Sequence, residues 1–159
     1  MEQLWAPWRM EYIKMEKSKG CFLCDGPIED DDEGNFILFR GKWNFVIMNR
    51  YPYNPGHLLI APYRHIAHLE KLPKQALYEH SDLVTQSVKV LKASFKCSNF
   101  NIGMNLGSVA GAGTADHIHT HVVPRWQGDT NFMPVIGGLR VIPEAVEETY
   151  KQLKDGFNG

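Results

Sequence analysis

Histidines 117, 119 and 121 alternate strictly in the segment His117-Ile118-His119-Thr120-His121-Val122-Val123. The β-branched residues around them, with Pro124 as a stop, read as a short strand whose period of two puts all three imidazoles on one face. Same-face positions lie about 6.6 Å apart, so the segment is a rail of groups available neutral or charged near neutral pH. A neutral imidazole that attacks phosphorus forms a phosphoramidate and divides one displacement into two in-line steps. Its neighbour on the rail can hydrogen-bond a phosphoryl oxygen or protonate the departing group. Just upstream, Gly111-Ala112-Gly113-Thr114 offers open backbone N–H groups and one hydroxyl for non-bridging oxygens. This loop is neither a dinucleotide fingerprint nor a P-loop, and its value comes from lying against the histidines. With Arg125 and the loop around Asn105, its amides are expected to seat a second anion. Cys21-Phe22-Leu23-Cys24 supplies two ligands at the spacing of a tetrahedral zinc site. A pair that holds no metal and a thiol–disulfide role are the alternatives, and for the latter the strand–helix context of a thioredoxin-like motif is missing. Cys97 reads as a small hydrophobe.

These groups need a scaffold, and the pattern predicts a sheet with helices. Residues 35–39 and 43–49 read as strands joined through Arg40-Gly41-Lys42, a hairpin. Residues 57–61 follow as a third strand after the turn-rich stretch 49–56. Apolar residues Leu77, Val84, Val88, Leu91 and Phe95 recur at helical spacing and predict a helix over 73–95 that covers the sheet with that face. Residues 100–106 make a fourth strand, and the histidine segment a fifth element of the same kind. Pro143 opens a last helix with Val146, Tyr150 and Leu153 on its buried side. The acidic run 29–33 lacks calcium-loop spacing and reads as a solvated connection. The aromatic residues within 1–20 are expected to lie on the body of the domain or on a partner subunit. The whole is an α+β domain with a largely antiparallel sheet. It divides into an N-terminal segment 1–34 bearing the cysteines and a sheet-and-helix core 35–159.

Composition sets outer bounds. A chain of 159 residues fits one domain and buries about 68–70% of its unfolded surface. A net charge of −1 gives no global field for nucleic acid, so phosphate recognition must be local. No apolar run approaches a membrane span, the N-terminus lacks the order of a signal peptide, and three cysteines suit a reducing compartment, so a cytoplasmic protein is expected.

The pattern His-x-His-x-His followed by two apolar residues, with Pro55-Gly56-His57 and Met104-Asn105-Leu106-Gly107 in order, resembles the histidine triad (HIT) superfamily of nucleotide hydrolases and transferases. Leu4-Trp5-Ala6-Pro7-Trp8-Arg9, the stretch from Asn49 through His57, and Val122-Val123-Pro124-Arg125-Trp126 are similar to the bacterial branch associated with diadenosine tetraphosphate phosphorolysis or hydrolysis. The resemblance implies a five-stranded antiparallel sheet with one long and one C-terminal helix, usually as a homodimer. It implies His119 as nucleophile, His121 on the α-phosphate and leaving-group side, and His57 in support. Asn49 would touch ribose, and Asn105, Gly113 and Thr114 the phosphates, although the loop from Asn105 to His117 is one residue longer than the common pattern. Trp126 either closes the purine cleft, reaches the other subunit or belongs to the core. Related uridylyltransferases bind zinc through a cysteine pair, an intervening histidine and the first triad histidine. Here that implies Cys21, Cys24, His65 and His117 around a structural Zn2+, with His68 as the alternative to His65.

The expected activity is cleavage of an adenine dinucleoside polyphosphate at the α-phosphorus through a nucleotidyl-His119, with phosphate or water as acceptor. A nucleoside phosphoramidate hydrolase, a catalytically silent nucleotide-binding HIT protein and a zinc hydrolase using His-x-His as ligands are the alternatives.

Overall fold

The computed structural model describes residues 20–114, 116–129 and 146–158. The expectations placed on residues 1–19 and on Pro143 lie outside them. Helix α1 (Phe22–Ile28), strands β1 (Ile37–Arg40), β2 (Asn44–Met48) and β3 (Leu58–Pro62), helix α2 (Lys74–Phe95), strands β4 (Asn99–Met104) and β5 (Thr120–Arg125) and helix α3 (Val146–Asn158) follow in that order. The five strands form one sheet in the order β1-β2-β3-β5-β4, with every neighbouring pair antiparallel. This is the expected α+β architecture.

β2 and β3 are buried at every position because both faces of the sheet centre are covered. On one face Val46, Met48, Leu58, Ile60 and Val122 pack against Leu83, Val90 and Leu91 of α2 and against Tyr150, Leu153 and Phe157 of α3. On the other, Phe45, Ile47, Leu59 and Ala61 pack with Leu23 of α1. The sequence did not announce α1, a seven-residue helix with Pro27 inside it. It brings Leu23, with its N-cap Cys21, onto this second face.

Helix α2 runs to Phe95 from an N-cap at Pro73, as expected, but its buried face is rotated from the predicted one. Ala76, His80, Leu83, Ser87, Val90 and Leu91 are buried. Leu77, Val84, Val88 and Phe95 flank that face, half-buried. The predicted stripe followed apolar side chains alone, whereas the centre of this face holds two polar ones.

Glu79 fastens α2 to the β1–β2 turn: its carboxylate accepts the backbone N–H groups of Lys42, Trp43 and Asn44 at 2.6, 2.7 and 2.7 Å. Burial raises its pKa, but the Asn44 side chain and these three N–H groups outweigh burial and hold it below the ordinary carboxylate value. The next residue, His80, is only 5% exposed, and burial pushes it from 6.5 to about 4 against a weaker upward pull from Glu79. The unfolded chain therefore binds one more proton than the folded chain between these two values. His80's contribution to stability is complete above 6.5 and is lost as pH falls toward about 4. In urea unfolding across this window His80 is expected to add roughly 1.4 kcal/mol per pH unit to the fall in stability, on top of the share of His121, which burial also pushes to about 4. His80→Gln should reduce the slope by that amount, and an unchanged slope would assign the acid loss to the other groups.

Candidate active site

The histidine segment enters the sheet differently from the expectation. β5 begins at Thr120, after His117 and His119, and passes through Pro124 to Arg125. Ile118, before the strand, is held by its N–H to the Ile66 carbonyl at 2.8 Å and by packing on Ile66, Leu72 and Ala76. Pro124 does not end the strand because β3 pairs with β5 only from Thr120 to Val122. Beyond that point the Pro124 carbonyl accepts the Asn54 side-chain amide at 2.9 Å, and no ladder bond requires the absent N–H. The alternation itself survives. Thr120 sits opposite Ile60 of the helix-covered face, and His121 opposite Leu59 of the other face.

Hydrogen bonds order the protons along this row. The backbone N–H of Tyr53 donates to His57 Nδ1 at 3.0 Å, and Asn49 Nδ2 lies 3.3 Å from the same atom. His57 therefore carries its proton on Nε2, which donates to His121 Nδ1 at 2.9 Å. His121 in turn keeps its proton on Nε2. His119 Nδ1–H donates to the His117 carbonyl at 2.9 Å, which leaves the lone pair on Nε2. The His119 and His121 rings lie 4.9 Å apart, and the His57 and His121 rings 5.1 Å apart. Burial pushes His119 below the ordinary imidazole value despite the opposing bond to the His117 carbonyl. Burial and then His119 push His121 down to about 4. Both rings are neutral at neutral pH, one offering a lone pair beside the other's N–H.

The glycine of Pro55-Gly56-His57 has a steric reason. Gly56 sits at φ +73°, and a Cβ there would come within 2.7 Å of Phe95 and 3.0 Å of Leu91. Only glycine lets this turn press against α2 and deliver His57 to the row.

Asn49 joins the row through His57, and its side-chain Oδ1 accepts the Tyr51 N–H at 2.9 Å. Thr114 is tied to the histidine segment by its carbonyl, which accepts the His117 N–H at 3.3 Å. Asn105 and Thr114 are half-buried and Gly113 exposed. Arg125 does not join an anion seat at the histidines. Its guanidinium donates to both carboxylate oxygens of Asp129 at 2.6 and 2.8 Å and to Asn101 at 2.6 Å. Six residues of extended chain also put it roughly 20 Å from His119. Trp126 is half-buried, its ring edge-on to Phe95 at 6.4 Å. Tyr53 was not singled out from the sequence, where it reads only as turn chemistry. Its ring lies 4.7 Å from that of His57 and stacks at 6.0 Å on that of His121.

A second cluster adjoins the row. Ligand atoms of Cys21, Cys24, His65 and His117 all lie within 4.8 Å of one another. The Sγ to Nδ1 distances are 3.3 Å for Cys21 to His117, 3.4 Å for Cys24 to His117 and 3.2 Å for Cys24 to His65. Tetrahedral bonds of zinc length separate sulfur and nitrogen by about 3.6 Å, so the set fits such an ion. His117 Nε2–H donates to the Pro62 carbonyl at 2.7 Å, which leaves its Nδ1 unprotonated and aimed at the thiols. Burial and Cys21 push the Cys24 thiol up to about 11, so a cation taking it as thiolate must displace that proton. His68 stands outside the cluster, exposed, with Nδ1 3.5 Å from Glu70.

Residues 33–128 match the HIT domain family. An AP-4-A phosphorylase of Mycobacterium tuberculosis is 38% identical over 162 residues, covering 96% of this chain and 83% of that protein. The crystal structure of a zinc-bound histidine triad family protein from Mycobacterium smegmatis superposes with a TM-score of 0.63 at 25% identity, covering 77% of this chain and 84% of that one. A uridylyltransferase mutant structure shares the fold with a TM-score of 0.71 at 16% identity, over 96% of this chain and 52% of that one. The chain therefore belongs to the HIT domain family, as an enzyme of it.

Proposed function

We propose that this enzyme cleaves dinucleoside polyphosphates, with diadenosine tetraphosphate favoured, at the α-phosphorus through a nucleotidyl-His119 intermediate. The observation that carries the reading is the hydrogen bond from His119 Nδ1–H to the His117 carbonyl, which leaves the lone pair on Nε2 of a ring 4.9 Å from that of His121. The 38% identity to a protein named AP-4-A phosphorylase supports the substrate class. In the first step His119 Nε2 bonds to the α-phosphorus, the bridging P–O bond breaks, and ATP departs with its oxygen hydrogen-bonded by His121. His57 holds His121 in the tautomer this requires. Asn49 is assigned to the ribose, and Asn105, Gly113 and Thr114 to the phosphates.

Cys21, Cys24, His65 and His117 would hold one structural zinc, a closed four-ligand site with no position for substrate. It would clamp α1 to the start of the histidine segment. The protein is proposed to be a single HIT domain spanning 1–159, a homodimer and cytoplasmic, with no nucleic-acid or membrane partner. No helix among the described residues is long and apolar enough to cross a membrane.

Inorganic phosphate is proposed to compete with water in the second step. Phosphate attack on adenylyl-His119 releases ADP and restores the imidazole, whereas water attack releases AMP. Chromatography of a reaction in millimolar phosphate is expected to show ADP with ATP. AMP with ATP would reject phosphorolysis and leave the covalent step standing, and no cleavage of diadenosine tetraphosphate would reject the substrate.

A further inference from the structure

Thr120 stands between His119 and His121 and points the opposite way. It is 6% exposed and faces α2, where its hydroxyl lies 2.7 Å from His80 Nε2. The proton order of this contact can be traced back to a carboxylate. Asn44 Nδ2 donates to the Ala76 carbonyl and to Glu79 Oε2, both at 2.9 Å, so Asn44 presents Oδ1 to His80. His80 Nδ1–H donates to that oxygen at 3.0 Å, His80 Nε2 becomes an acceptor, and Thr120 Oγ–H donates to it. The chain Glu79, Asn44, His80, Thr120 thus begins on a carboxylate anchored by three backbone N–H groups and ends between the two triad histidines.

This is an unusual place for polar groups, because the surrounding helix–sheet contact is apolar. A valine–leucine pair would fill the space without giving up hydration, so the hydroxyl and imidazole add direction rather than net stability. The location tells what is directed. Thr120 is the first residue of β5 and is paired with Ile60 on one side and Met104 on the other. His119 lies one residue before the ladder begins. Sheet pairing therefore does not hold the nucleophile, and its own side-chain bond is to the carbonyl of His117, two residues farther out.

We propose that His80 is a positioning residue for the triad, acting through Thr120 Oγ to fix the end of β5 so that His119 keeps its place and its tautomer beside His121. The catalytic consequence rests on the nucleotidyl-transfer reading above, while the geometric one does not. Thr120→Val removes the hydroxyl at nearly constant volume. It is expected to slow single-turnover formation of the His119 adduct about tenfold with nucleotide Kd changed by less than about twofold. Thr120→Ser, which keeps the hydroxyl, should restore the rate. His80→Leu should match Thr120→Val, and the double variant should lose no more than either single one. Long-range proton–nitrogen spectra of the ligand-free protein should show His119 as one Nδ1–H tautomer in the wild type and as a mixture in Thr120→Val. A purely structural role would lower Tm and leave the adduct rate of the folded protein unchanged, and that result overturns the proposal. If the wild type forms no adduct on His119, the nucleotidyl-transfer reading fails by itself. The tautomer spectra then decide the positioning role, which an unchanged His119 signal in Thr120→Val would refute.

Discussion

His119→Ala is expected to reduce turnover of diadenosine tetraphosphate by at least about 10⁴-fold while nucleotide binding stays within roughly tenfold. The separation follows from what the side chain touches. His119 is 7% exposed, and its described side-chain partners are the His117 carbonyl and the ring of His121. Its removal takes away the proposed bond-forming atom and leaves the Gly111-to-Thr114 loop and the His57–His121 pair in place. Acid-avoiding quench of the wild type, digestion and mass spectrometry should locate the nucleotidyl group on His119. An adduct on another residue, or wild-type turnover in His119→Ala, would remove His119 as the nucleophile.

The second large effect concerns the cysteine–histidine cluster. Wild-type protein is expected to carry one zinc per chain, and the double variant Cys21→Ser/Cys24→Ser close to none. Tm should fall by about 10 °C, since a cost of roughly 3–5 kcal/mol shifts a domain of this size by about 2–4 °C per kcal/mol. Full zinc occupancy in the double variant would exclude the site. Chelation at a temperature well below Tm separates a clamp from a catalytic metal. A clamp leaves the His119 adduct rate of the still-folded protein within a few-fold, whereas a metal-hydroxide mechanism stops at the chemical step. The His117 ring faces the cluster and the His117 carbonyl holds His119, so the two sites share one residue through different atoms.

The sequence alone determined the family and the class of fold, and it singled out the histidines and cysteines that the fold brings together. Alternation at 117, 119 and 121 predicted that the three histidines share a face, and ahead of the ladder the packing of Ile118 on Ala76 and the Thr120 contact with His80 turn the intervening residues toward α2. Helix α2, the hairpin and the Cys-x-x-Cys ligands were legible for the same reason: each is a local pattern. Long-range contacts decided the rest. Arg125 looked like an anion donor by neighbourhood, but Asp129 neutralises it and Asn101 accepts from it, at a distance from the row that only the strand direction reveals. His65 was chosen over His68 by where the chain after β3 turns, three residues separating a cluster member from an exposed side chain. The buried face of α2 was misplaced because hydropathy gives His80 and Ser87 to water, while tertiary packing gave His80 two partners 36 and 40 residues away. A polar group is admitted to an interior when both its nitrogens are satisfied there. Those partners come from separate strands, and only the folded sheet brings them under one helix.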